Sequence, residues 1–203
     1  MFSLENEEKS PIVIGRRAFV AGSVVMGAVL AWLFSERKQP VHGEAAVAGA
    51  ELSGKVKIVE FSDDGREKST ITADRISKSE AEWRKSLSAD SFEVARRAGT
   101  ERPYTNENPN DHAKGVLRCI CCDTALFNAD TKFESGTGWP SFWAPIAKEN
   151  VLETTDSGFG MVRIAVSCKL CDAHLGHVFN DGPRPTGLRY CMNSVAMRFA
   201  KAT

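Results

Sequence analysis

The chain has 203 residues, with 26 Lys+Arg balanced by 26 Asp+Glu, 42% hydrophobic residues and 26% charged ones. Such a composition can bury a core, which excludes wholesale disorder. Zero net charge argues against a grip on phosphate backbones, which needs a clustered excess of Lys and Arg, so no nucleic-acid partner is expected.

Residues 18–34 (AFVAGSVVMGAVLAWLF) carry no charge and directly follow Arg16-Arg17. Small residues at 45–50 offer an A-x-A match at Ala46-Val47-Ala48. A basic flank, an apolar stretch and a small-residue site are the layout of a secretory signal. The apolar stretch is short for a membrane span, which needs about 20 residues. GRRAFVA at 15–21 resembles the twin-arginine export signal, with Gly15 standing where Ser or Thr is usual. That resemblance implies that 1–48 is an export signal read by the twin-arginine machinery. The signal is either cleaved after Ala48 or kept as an inner-membrane anchor through 18–34. Either way the globular part is expected in the periplasm or another extracytoplasmic space, exported folded.

Residues 52–73 alternate in polarity around Asp63-Asp64-Gly65, which predicts a β-hairpin and hence a hairpin extension over 49–75. Ser79 and Glu82 have capping-box spacing before EWRKSL, predicting a first helix. A second helix is expected over 88–98, stopping at Gly99, with Phe92 and Ala95 on its apolar face. The Pro-, Asn- and Asp-rich stretch 100–115 predicts a loop. Residues 162–167 predict a strand with Val162, Ile164 and Val166 on one face, and 180–187 a long turn. Period two over 189–199 predicts a final strand with Cys191, Asn193, Val195, Met197 and Phe199 on one face.

The cysteines carry the chemistry. Cys119 and Cys122 form one C-x2-C, and Cys168 and Cys171 another. Two such turns can aim four sulfurs at one point and complete a tetrahedral site for one structural Zn2+. Four thiolates leave no open position, so the metal would hold the fold. The alternatives are a pair of small-loop disulfides or a redox-active C-x-x-C. The expected fold class is mainly β (α+β), with antiparallel sheets forming a barrel-like core, two short N-terminal helices and a four-cysteine zinc staple.

Cys191 stands apart from these pairs, with Arg189 two residues before it and Asn193 two after it. A nearby cation favours a thiolate, and an amide offers a hydrogen bond. His174 and His177 lie three apart beside the second C-x2-C. The bland alternative is a small buried thiol with ordinary polar neighbours.

Four blocks then converge on a family: GTERPY (99–104), LRCICCDTALF (117–127), TKFESGTGWPSFW (131–143) and CKLCDAHLGHVFNDGPRPTGLRYCMNS (168–194). Together they closely resemble methionine sulfoxide reductase B, which acts on one epimer of oxidised methionine. The resemblance implies a catalytic domain over 76–203 that reduces methionine R-sulfoxide, mainly in proteins. It implies Cys191 as nucleophile, zinc on Cys119, Cys122, Cys168 and Cys171, and Trp139 receiving the substrate methyl group. His174, His177 and Asn193 would surround the sulfoxide oxygen, while Arg189 keeps Cys191 ionised. Thiolate attack would then give a Cys191 sulfenic acid, with the oxygen leaving as water.

One departure matters. Many members carry a resolving cysteine within SG-x-GWPSF, and here that position is Thr137. Regeneration then falls to an external, thioredoxin-like thiol reductant, or to Cys121 as a possible resolving thiol. A smaller departure is Phe159, where members often have His. The reading from another class is a catalytically lapsed, zinc-stabilised protein-binding module.

Overall fold

The structure is a computed structural model and describes residues 54–105, 113–158 and 162–203. The expected export signal, most of the loop after Thr105 and Phe159 fall outside the described residues.

The hairpin forms from β1 (Lys55–Phe61) and β2 (Glu67–Asp74), paired antiparallel around the Asp-Gly turn. Helix α1 (Glu80–Ser86) starts on a complete capping box: the Ser79 side chain accepts from the Glu82 N–H, and Glu82 accepts from the Ser79 N–H. Helix α2 (Ala89–Arg97) is capped by Ser88 and buries Phe92, Val94 and Ala95. Its left-handed stop is Ala98 (φ 52°), one residue before the expected glycine.

The remaining strands are β3 (Gly115–Cys119), β4 (Ala125–Asn128), β5 (Lys132–Phe133), β6 (Ser141–Phe142), β7 (Val151–Asp156), β8 (Arg163–Cys168), β9 (His174–Phe179), β10 (Arg189–Met192) and β11 (Met197–Lys201). They build a six-stranded sheet, β5-β6-β10-β9-β8-β7, and a three-stranded sheet, β11-β3-β4, all antiparallel. The core lies between them, where Phe127 stacks on Phe142 with ring centroids 4.5 Å apart and Tyr190 tilts against Phe127.

Two expectations are corrected. Among the described residues the sheets stay open and no barrel closes; the six-stranded sheet ends on β5 and β7, and β5 and β6 pair at only two positions. The expected strand over 189–199 breaks into β10, a 3-10 turn (Ser194–Ala196) and β11, which joins the other sheet. The break has a cause: the Glu101 carboxylate accepts from the Ser194 N–H at 2.7 Å and the Val195 N–H at 3.1 Å. Those donors are thereby withdrawn from any ladder.

The hairpin is bound into the body. Val59 donates to Asn150 Oδ1 and accepts from Asn150 Nδ2, both at 2.8 Å, and Asn150 Nδ2 also donates to Ala125 O. Arg118 donates to Asp63 Oδ1 and to Phe61 O. Val59 and Phe61 pack with Val116 and Ala125 in a small apolar cluster of their own.

Candidate active site and metal centre

Strands β3 and β8 end on Cys119 and Cys168, and both chains then enter the same turn. In the first, the Asp123 N–H donates to Cys119 O and the Cys119 N–H to Thr124 O. In the second, the Asp172 N–H donates to Cys168 O and the Cys168 N–H to Ala173 O. Asp123 (φ 65°) and Asp172 (φ 59°) take the left-handed conformation that closes each turn. Asp is one of the few side chains that visit it readily. The turns face each other, and the four sulfurs of Cys119, Cys122, Cys168 and Cys171 all lie within 4.8 Å of one another.

The shortest approaches run between the turns: Cys119 to Cys171 at 3.6 Å and Cys122 to Cys168 at 3.5 Å. A tetrahedral four-sulfur site with bonds of about 2.3 Å has sulfur–sulfur edges of about 3.8 Å. The donor set therefore fits a soft, tetrahedrally bound metal ion. All six cysteines are free thiols, and the close pairs are not those that small-loop disulfides would join. The Cys121 thiol lies against Cys119 and Cys171, on this centre.

Cys191 is half-buried on β10, opposite Ser141 of β6 on one side and His177 of β9 on the other. Directly opposed residues of antiparallel strands project to the same face with Cβ atoms about 4.5–5.5 Å apart. The register thus sets the thiol beside an imidazole. Gly176 lets the strands close at this point, because a Cβ there would stand 2.2 Å from Cys191 O.

Arg189 is clamped. Its guanidinium donates twice to Asp181, at 2.8 Å each, and its carbon lies 4.4 Å from the Phe179 ring centroid. Asp181 foremost, with Cys191 a smaller contributor, raises the Arg189 pKa.

The two histidines differ. His174 is 8% exposed, and its Nε2 is buried without a hydrogen-bond partner. Burial first, then neighbouring His177, lower its pKa to about 4, so it is neutral at pH 7. His177 Nε2 lies 2.9 Å from Asp156 Oδ2, which also pairs with Arg163 at 2.8 Å. The Gly158 N–H first, then His177, hold Asp156 at about 2. An ionised carboxylate only accepts, so His177 Nε2 carries the proton.

Asn193 is almost fully buried. Its Oδ1 accepts from the Glu101 N–H and its Nδ2 donates to Leu175 O, both at 3.0 Å. One Nδ2 proton remains beyond that bond. Trp139 donates from Nε1 to Glu101 O at 3.1 Å. The loop holding Trp139 is pinned by Tyr104, whose N–H donates to Gly138 O and whose hydroxyl donates to Gly136 O, both at 2.8 Å. Gly138 (φ 85°) meets the Tyr104 ring so closely that an added Cβ would lie 2.6 Å from it.

The structure brings Cys191, His174, His177 and Arg189, all singled out in the sequence, onto the paired strands β9 and β10; sequence reasoning misses Asp156, Asp181 and Glu101. Asp156 and Glu101 are lone acids with no spacing signal, whereas Asp181 has a readable one, since the long turn over 180–187 returns the chain to Arg189.

Residues 87–201 match the SelR domain. The chain belongs to the MsrB family. It is 50% identical over 129 residues to the peptide methionine sulfoxide reductase MsrB of Hahella chejuensis (strain KCTC 2396), spanning 64% of this chain and 93% of that protein. It is 53% identical over 125 residues to the MsrB of Pseudomonas putida (strain W619), spanning 62% and 94%. Against the MsrB of Herminiimonas arsenicoxydans it is 49% identical over 126 residues, spanning 62% and 92%. The hairpin β1–β2 precedes the SelR match.

Proposed function

We propose that this MsrB-family chain reduces methionine R-sulfoxide, mainly in proteins, by attack of the Cys191 thiolate on the sulfoxide sulfur. The observation that carries the reading is the register Cys191↔His177, with Asp156 behind the imidazole. Arg189 supplies a fixed cation on the nucleophile's own strand, and Trp139 an aromatic face for the S-methyl group.

His177 is the proton donor to the sulfoxide oxygen in this scheme. As an imidazolium it is supported by Asp156 and can give a proton from Nδ1. His174 stays neutral and acts through hydrogen bonding. Attack joins the Cys191 sulfur to the substrate sulfur. As the protonated oxygen passes to the Cys191 sulfur, that bond and the substrate's sulfur–oxygen bond break, the substrate sulfur gains two electrons and the Cys191 sulfur loses two. Thiol plus sulfoxide gives thioether plus Cys191 sulfenic acid, with atoms balanced. The net release of water therefore belongs to the next step and not to this one. There an external thiol attacks the sulfenic acid, water leaves, and a second thiol of the thioredoxin-like reductant frees Cys191 from the mixed disulfide.

Cys119, Cys122, Cys168 and Cys171 would hold one Zn2+ per chain, which closes its own coordination shell and ties β3 to β8. The twin-arginine resemblance of residues 15–21 supports export of the folded, metal-loaded protein to the periplasm, with inner-membrane anchoring through 18–34 as the uncleaved outcome.

The deciding assay offers a peptide containing methionine R-sulfoxide with dithiothreitol to zinc-loaded protein. Methionine should form, and the S epimer should be left untouched. Absence of product from folded, zinc-containing protein overturns the reductase reading and leaves the lapsed binding module. Intact mass of the protein recovered from periplasm, native and denatured, tests export, cleavage after Ala48 and one zinc per chain together.

A further inference from the structure

The loop between β5 and β6, with the first residue of β6, carries three hydroxyls that the proposed reaction leaves without a role. Ser141 is fully buried and sits opposite Cys191 in the ladder. Its Oγ lies 2.8 Å from Ser135 Oγ and 3.2 Å from Trp139 O. Ser135 Oγ lies 2.8 Å from Thr137 Oγ1 and is also within 3.4 Å of the Thr137 N–H. Thr137 Oγ1 in turn lies 3.8 Å from Cys191 Sγ. An unbroken line of hydroxyls thus joins a backbone carbonyl to the nucleophile.

Each hydroxyl donates once and can accept twice. The line therefore has two consistent arrangements. When Cys191 is a thiol, donation runs from Cys191 to Thr137, to Ser135, to Ser141 and finally to Trp139 O. When Cys191 is a thiolate, it runs the other way, from Ser141 through Ser135 and Thr137 to the sulfur. The change needs only rotation of three hydroxyls; no heavy atom moves and no proton is exchanged between them. In the second state Trp139 O gives up a neutral hydrogen bond, and the sulfur gains a stronger, charge-assisted one. Polarisation along the line reinforces whichever direction is set.

We propose that Ser141, Ser135 and Thr137 form a reversible hydrogen-bond chain that follows the charge on Cys191, with Thr137 as the positioning residue that donates to the thiolate. The proposal rests on reading Cys191 as the nucleophile. It gives Thr137 a role at the position where many family members hold a resolving cysteine. The other charged and titratable groups around Cys191 are Arg189 with Asp181 on its own strand and turn, His177 with Asp156 and Arg163, and His174 on β9. They are common to every variant in the test and cancel in the comparison.

The experiment follows alkylation of Cys191 by iodoacetamide against pH in the zinc-loaded full chain, resolved by peptide mass. Thr137→Val removes the hydroxyl at nearly constant shape and should move the alkylation midpoint up by about one pH unit, slowing the reaction about tenfold below it. Ser135→Ala cuts the chain in its middle and should move the midpoint in the same direction. Thr137→Ser should restore the wild-type profile. An unchanged profile in Thr137→Val overturns the proposal. So does a shift that Thr137→Ser fails to reverse, or one that Ser135→Ala does not share. Alkylation needs no sulfoxide, so the expected profile with no methionine formed in the activity assay would sink the reductase reading while leaving the chain standing.

Discussion

His177 Nε2 stands 2.9 Å from Asp156 Oδ2, a contact that reaches from β9 to β7 across the intervening β8. The carboxylate is held at about 2 by the Gly158 N–H, then by His177 and Arg163, so it remains ionised throughout the working pH range. It fixes which nitrogen of His177 carries the proton. Asp156→Asn keeps the shape and removes the charge. We expect kcat to fall roughly ten- to a hundredfold, as for loss of a supporting partner in acid–base catalysis. Cys191 alkylation should stay near wild type, since the thiol itself is untouched. Unchanged kcat would remove Asp156 from the proposed machinery.

His174 gives the protein an acid weakness whose sign follows from its burial. The folded state holds its pKa at about 4, against 6.5 for the free side chain, because burial disfavours the charged ring. Between those values the unfolded chain binds more protons, so stability falls as pH drops from about 6.5 toward 4. The loss from this one group should reach about 2 kcal/mol by pH 5. Urea midpoints measured from pH 7 to pH 5 should decline less steeply in His174→Gln than in the wild type. Parallel declines would mean that His174 titrates normally in the folded protein.

Local signals are legible in the sequence and long-range ones are not. The turn at Asp63-Asp64-Gly65 and the Ser79–Glu82 box each close within a few residues, and both form as read. The C-x2-C pairs are legible because the same short turn recurs, down to the left-handed Asp123 and Asp172. The strand expected over 189–199 does not run through because what breaks it, Glu101, lies 93 residues before Ser194. Period two is a backbone habit, and a carboxylate that captures two N–H groups overrides it. The barrel fails for a similar reason. Alternation marks which face of a strand is buried and says nothing about whether the two edges of a sheet meet. Asp156 gives no sequence signal because a single acid becomes a partner for His177 only after three strands have paired.

Cys121 is a spare thiol in the wrong neighbourhood for a resolving role. It lies against Cys119 and Cys171, whereas the Cys191 sulfur has the Thr137 hydroxyl beside it. A disulfide between Cys121 and Cys191 needs Cα atoms within about 7 Å and would draw a sulfur away from the proposed zinc centre. Cys121→Ser should therefore sustain multiple turnovers with dithiothreitol within about twofold of wild type, because the external thiol attacks Cys191 directly. A variant that completes one turnover and then stalls, with its zinc intact, would assign the resolving role to Cys121 after all.

Asn150 is the bolt that fastens the hairpin β1–β2 to the rest of the fold. It is completely buried, exchanges two 2.8 Å hydrogen bonds with the backbone of Val59 and donates a third to Ala125 O. Its own carbonyl accepts from the Lys169 N–H inside the second cysteine turn, and the hairpin's exit strap adds Ile76 N–H to Leu170 O and Arg75 Nη2 to Lys169 O. The hairpin is thereby coupled to the turn that carries Cys168 and Cys171. Asn150→Ala leaves one buried N–H and two buried carbonyls without these partners, which should cost about 3–5 kcal/mol of stability, read as a lowered urea midpoint. Release of zinc to a chelator should quicken in the same variant, because the second turn loses its outer brace. If stability falls by less than about 1 kcal/mol and zinc release is unchanged, the hairpin is a passive appendage rather than a support for the metal centre.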